Sequence, residues 1–183
     1  MDVGLINGLP GHPLFVHGAV VLVPLTVLAL LLCALWPAAA RRFGWVLPAL
    51  GLLTLVLVVL TTESGEWLEE RVRETALVEK HADMGSDLTP WVIALFVLTV
   101  AVWLIGHAGA RRERERSSVP GSPPQGGVST AVRLASSVPA RVVALVLALV
   151  VAFGAVIDAY RIGDSGAKAA WHGRFSTSES SRR

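Results

Sequence analysis

Five histidines carry most of the reactive chemistry available to this 183-residue chain. Two of them stand close together in Leu9-Pro10-Gly11-His12-Pro13-Leu14-Phe15-Val16-His17, at the mouth of a long apolar run. Imidazole titrates near neutral pH and is the commonest metal ligand, so a histidine at a bilayer boundary points to a functional site. The others are His81, His107 and His172. Cys33 is the single cysteine, which excludes an internal disulfide and any CxxC or CxxCH motif. The sequence contains no phosphate-binding loop, dinucleotide fingerprint, HExxH or recognisable Ser/His/Asp set, which argues against an enzyme.

The elements that must position these residues are apolar. Residues 14–36, 45–62, 91–106 and 142–157 form four runs separated by charged or Pro/Gly-rich breaks. A helix needs roughly 20 mostly apolar residues to cross about 30 Å of hydrocarbon. The expected fold is therefore all-α, an integral membrane four-helix bundle whose first partner is the lipid bilayer. A cleavable signal peptide would need a basic n-region and an apolar stretch of about 7 to 15 residues. The first run is longer, and it is preceded by Asp2 rather than by Lys or Arg. The formal charge of +2 comes from arginines flanking spans, so it reports membrane topology and not a nucleic-acid partner.

Four spans place both termini and the 63–89 loop on one face, A, and the 37–44 turn and 107–140 connection on the other, B. Face B gathers Arg41, Arg42, Arg111, Arg112, Arg114, Arg116, Arg133 and Arg141 against Glu113 and Glu115. Arginine clustered at span ends marks the cytoplasmic side. The expectation is a cell-membrane protein with both termini outside. Residues 1–107 would hold three spans. A disordered cytoplasmic linker would follow over 108–139, then the fourth span with an outer segment over 140–174 and a disordered tail over 175–183.

This topology sends His12, His17, His81 and His172 to face A and leaves His107 on face B. Pro13 suits a first helical turn, which puts His17 about one turn inside, facing the bundle. Glu63-Ser64-Gly65 after the second run matches Asp164-Ser165-Gly166 after the fourth, and His17 and His81 each precede the first helix of a pair. The chain thus reads as two parallel two-helix repeats about an axis normal to the membrane. Trp67, Leu68, Val72 and Ala76 form an apolar stripe, with Glu69 and Arg73 paired at i,i+4, and predict an outer amphipathic helix over 66–80. Asp158, near the end of the fourth run, needs a partner at that depth. Arg161 at i+3 is one answer, and orienting a ligating histidine through its second ring nitrogen is the other.

Taken together, His12-Pro13-Leu14 with His17, Ser64-Gly65, His81 and Trp171-His172-Gly173 resemble the domain-of-unknown-function 2231 family of small bacterial four-helix membrane proteins. The likeness runs over residues 8–174, and its histidine-proline opening is the specific part. Some members of the family are joined to cytochrome c-like or Rieske-like domains, which implies a redox setting at the outer face. This chain departs from the pattern in its long Arg/Pro/Gly linker and carries no such fused domain, so a redox protein is the expected partner.

Three readings of the histidines follow. A b-type haem would take two of them as axial ligands from facing helices, with His17 and His81 the first pair and His172 the reserve. A copper or zinc ion would use His12, His17 and His81 with Glu66 or Asp83. In a non-catalytic scaffold subunit the same rings satisfy helix ends and pin the outer loops. The oligomeric state is open.

Overall fold

The computed structural model describes residues 4–117 and 138–173. They form β1 (Leu5–Ile6), β2 (Leu9–Pro10), α1 (Gly11–Leu35), α2 (Pro37–Phe43), α3 (Val46–Glu69), α4 (Ala76–Gly85), α5 (Leu88–Ser117) and α6 (Val138–Trp171). Four of these helical regions, containing α1, α3, α5 and α6, are long and apolar enough to cross a membrane. The expected all-α membrane bundle is what the chain builds. In hydrocarbon no water is present to satisfy backbone N–H and C=O groups, so even the valine-rich runs, good strand formers in water, become helices that bond internally.

The four spans pack in a ring, α1 against α3, α3 against α5, α5 against α6 and α6 against α1, and α1 also meets α5 across the diagonal. Small residues let the helices close: Ala19, Ala148, Ala152 and Ala155 are buried, interleaved with Leu30, Leu47, Leu95, Val23 and Val92. Leu28, Leu53, Val97, Leu149 and Phe153 point outward, as lipid-facing side chains do.

A polar layer crosses the middle of the bundle. Thr26 on α1 donates to Thr54 on α3, with 2.7 Å between hydroxyl oxygens, because the Thr54 proton is already committed to the Leu50 carbonyl at 2.9 Å. Thr99 on α5 donates to the Phe96 carbonyl at 2.6 Å. All three threonines are fully buried. Gly51 is what admits Thr99, since a Cβ there would lie 2.5 Å from Thr99 Oγ1.

Two boundaries differ from expectation. The helix expected over 66–80 is divided: Trp67 and Leu68 belong to the last turn of α3, and the outer helix is α4. The division has local causes. Arg71 lies 4.0 Å over the Trp67 ring and donates to the Trp67 carbonyl, closing α3, while Thr75 caps α4 by accepting from the Val78 N–H. Residues 108–117, expected to begin a disordered linker, continue α5, as the helix propensities of Ala, Arg and Glu allow. The rest of that linker, 118–137, and the tail over 175–183 lie outside the described residues.

Candidate functional site

The chain reaches face A through a hairpin that sets the start of α1. Leu5 and Ile6 pair antiparallel with Pro10 and Leu9, across Asn7 and Gly8 at φ of 54° and 82°. Positive φ at both positions is the requirement of a tight type I′ turn, and Asn-Gly is the pair that meets it most easily. The Gly11 N–H closes back on the Gly4 carbonyl at 2.9 Å. Gly4 itself lies against the Trp67 ring, so close that a Cβ would sit 2.1 Å from it. The hairpin therefore docks on the end of α3, and His12 follows immediately.

His12 Nδ1 lies 2.9 Å from the Thr61 carbonyl of α3 and must be the donor, because a carbonyl only accepts. The same carbonyl accepts from Ser64 Oγ at 3.0 Å. Gly65 is the seat of the ring: a Cβ there would lie 3.0 Å from both Cε1 and Nδ1.

His81, on α4, repeats the arrangement against α6. Its Nδ1 lies 2.9 Å from Ser165 Oγ, and Ser165 Oγ donates to the Ile162 carbonyl at 2.8 Å. With the serine proton committed, His81 Nδ1–H donates. Gly166 seats this ring, its notional Cβ falling 2.9 Å from His81 Cε1. Ser64 and Ser165 are both buried. In each half, then, a Ser-Gly pair at the A-face end of the second helix receives a histidine that precedes or opens the first. The ring order of the spans has the same two-fold relation, α1 with α5 and α3 with α6.

The two halves meet at the histidines. The His12 and His81 rings lie 6.1 Å apart between centroids at an interplanar angle of 73°. Both are half-buried. Neither Nε2 takes part in the anchoring bonds, so in the neutral ring each Nε2 keeps its lone pair.

The remaining sequence candidates fall elsewhere. His17, expected to face the bundle and to match His81, is exposed, and its Nδ1 donates to the Pro13 carbonyl one turn back, at 2.5 Å. The cause is helical geometry: five residues beyond His12 is a rotation of about 140°. The partner of His81 is therefore His12 rather than His17. His172 is exposed at the end of α6. Asp158 pairs with Arg161 at 3.6 Å through i,i+3, and the groups that orient the two histidines are the Thr61 carbonyl and the Ser165 hydroxyl. His107, on face B, packs near Trp103 with 5.3 Å between ring centroids. Among the described residues no three His, Cys, Asp or Glu side chains gather to hold a metal ion, so the His12, His17 and His81 set with Glu66 or Asp83 does not assemble.

Thr61 and the hairpin escaped the sequence reading. Asn7-Gly8 was the available signal for the turn, whereas nothing marks one backbone carbonyl among many as an acceptor for a distant ring.

Comparison with known proteins gives a family and no closer relative. The family described as "Predicted membrane protein (DUF2231)" matches residues 8–179. No curated protein and no solved structure matches the chain significantly.

Proposed function

The chain belongs to the DUF2231 family of predicted membrane proteins, and from that premise we propose that it is a non-catalytic membrane subunit whose A face is held in shape by two histidine locks for presentation to a partner protein. The observation that carries this reading is the repeated anchor, His12 on Thr61 and His81 on Ser165. The first joins the opening turn of α1, just after the hairpin, to the end of α3, and the second joins α4 to the end of α6. Hydrogen bonds of this kind contribute about 0.5–1.5 kcal/mol each, and the His81 bond helps to hold an α4 that is too short to be stable alone. In this reading face A lies outside the cell, and the partner is a redox protein docked there, as the family likeness suggests.

A second reading rests on the spacing of the rings. Metal-bound histidines almost always donate their other ring N–H to a protein acceptor, and both Nδ1 groups do so here. A metal–nitrogen bond of about 2.0–2.1 Å, plus roughly 1 Å from nitrogen to ring centre, lets two imidazoles on one metal lie up to about 6 Å apart, close to the 6.1 Å between these rings. On this reading His12 and His81 would be the residues to hold a b-type haem or a smaller metal ion, which would supply redox or Lewis-acid chemistry at face A.

Replacement by asparagine separates the readings, because its amide can replace the Nδ1–H donor but supplies no Nε2. Under the lock reading, His12→Asn and His81→Asn keep unfolding stability and partner recovery close to wild type, His12→Ala and His81→Ala lose both, and oxidised and dithionite-reduced visible spectra show no bound chromophore. A Soret band or stoichiometric metal in the wild type, lost in the asparagine variants while the fold survives, overturns it.

A further inference from the structure

The cleft between α4 and α6 on face A has a composition that the histidine locks do not explain. It holds about 200 Å³ and brings the cations Lys80, Arg161 and Lys168 around a wall made by Leu77, Met84 and Tyr160. One carboxylate, Asp164, also lines it and is bound to Lys168 at 2.6 Å. Arg161 leans on Asp158 at 3.6 Å with its side chain 63% exposed. Lys80 has no ion-pair partner among the described residues. The lining thus retains a net positive charge after its own acid is counted, and both Lys80 and Arg161 can reach a ligand.

The level of the cleft identifies the ligand. The apolar part of α6 ends at Ile157. Tyr160 to Lys168 continue the helix for a further two turns or so, at about 1.5 Å per residue, which places them at the headgroup layer. Tyrosine is favoured at that depth, and basic pockets between membrane helices bind anionic headgroups. Tyr160 is 76% exposed and lines the cleft with Leu77 and Met84, about one to two helical turns beyond the exposed Phe153 and Val156 of α6. A free inorganic anion would use the cations but not this wall.

We propose that the α4–α6 cleft is a binding site for the phosphate of an anionic phospholipid in the A-face leaflet, with Lys80 and Arg161 on the phosphate and Leu77, Met84 and Tyr160 along the glycerol and upper acyl chain. Ser165 lines the cleft and also anchors His81, so an occupied cleft holds α4 on α6 together with the lock.

The test uses the full chain in nanodiscs of phosphatidylcholine containing a minor fraction of phosphatidylglycerol, with the co-purifying lipid measured by native mass spectrometry after extraction. Wild type should retain phosphatidylglycerol in preference to phosphatidylcholine. A basic residue near a membrane surface contributes about five-fold in affinity for anionic lipid, so Lys80→Gln with Arg161→Gln should cut retention by about 25-fold. Arg73→Gln, exposed and outside the cleft, should leave retention unchanged, and thermal unfolding in detergent checks that each variant is folded. Equal retention of both lipids, or unchanged retention in a folded double variant, overturns the proposal. Saturation by inorganic phosphate alone, with no additional gain from the lipid, also overturns it and makes the cleft a free-anion site.

Discussion

His81 Nδ1 reaches Ser165 Oγ at 2.9 Å, while its counterpart His12 passes over Ser64 and bonds the Thr61 carbonyl directly, also at 2.9 Å. The two halves use the same residue types in the same places but wire them differently. In the second half the serine hydroxyl is a relay between ring and backbone. In the first it is a second donor to a carbonyl that the ring already holds.

That difference makes the serines unequal. Ser165→Ala removes the acceptor of a half-buried imidazole N–H and should cost about 1–3 kcal/mol. Ser64→Ala leaves the His12 bond intact and should cost about 1 kcal/mol or less. Reversible unfolding in mixed micelles would measure both, and equal losses would show that the relay carries no energy.

The glycines beneath the rings should be intolerant in parallel. A methyl group at position 166 meets His81 Cε1 at 2.9 Å, and one at position 65 meets His12 at 3.0 Å, with a ring held by its own hydrogen bond unable to retreat freely. Gly166→Ala and Gly65→Ala are expected to cost about 1–3 kcal/mol each. Hydrogen exchange should rise in α4 for Gly166→Ala and in residues 4–12 for Gly65→Ala. Exchange confined to the substituted helix would argue against the locks.

A different pair of glycines separates packing from propensity. Gly51→Ala drives a Cβ to 2.5 Å from the buried Thr99 hydroxyl and should disrupt the α3–α5 contact. Gly163, with nothing within 4 Å of its notional Cβ, should gain about 0.5–1 kcal/mol on replacement by alanine, the ordinary helix advantage. Thermal midpoints of the two variants, moving in opposite directions, would bear this out.

The threonine layer should matter less than its burial suggests. Thr26→Val removes the donor to Thr54 but leaves Thr54 bonded to the Leu50 carbonyl. Interhelical hydrogen bonds in membranes average about 0.6 kcal/mol, and a loss of that order is expected from steric-trapping or denaturant titration. A loss above about 2 kcal/mol would mean that the layer carries more than helix association.

The bundle was legible in the sequence because hydrocarbon leaves a spanning chain almost no choice. Apolar runs of sufficient length must be helices there, and parity then carries His12, His81 and the end of the fourth run to one face. The paired Ser-Gly motifs were legible too, as was the Asp158–Arg161 pair, since i,i+3 spacing is local. The choice of His12 over His17 was not. Both precede the same apolar run, and only the rotation of α1 against α3, set by which residues pack in the ring of spans, decides which imidazole meets a backbone carbonyl on another helix. The α4–α6 cleft and the Thr61 anchor have the same origin: each depends on the relative depth and rotation of separate helices, quantities fixed by side-chain packing across the bundle and carried by no short stretch of sequence.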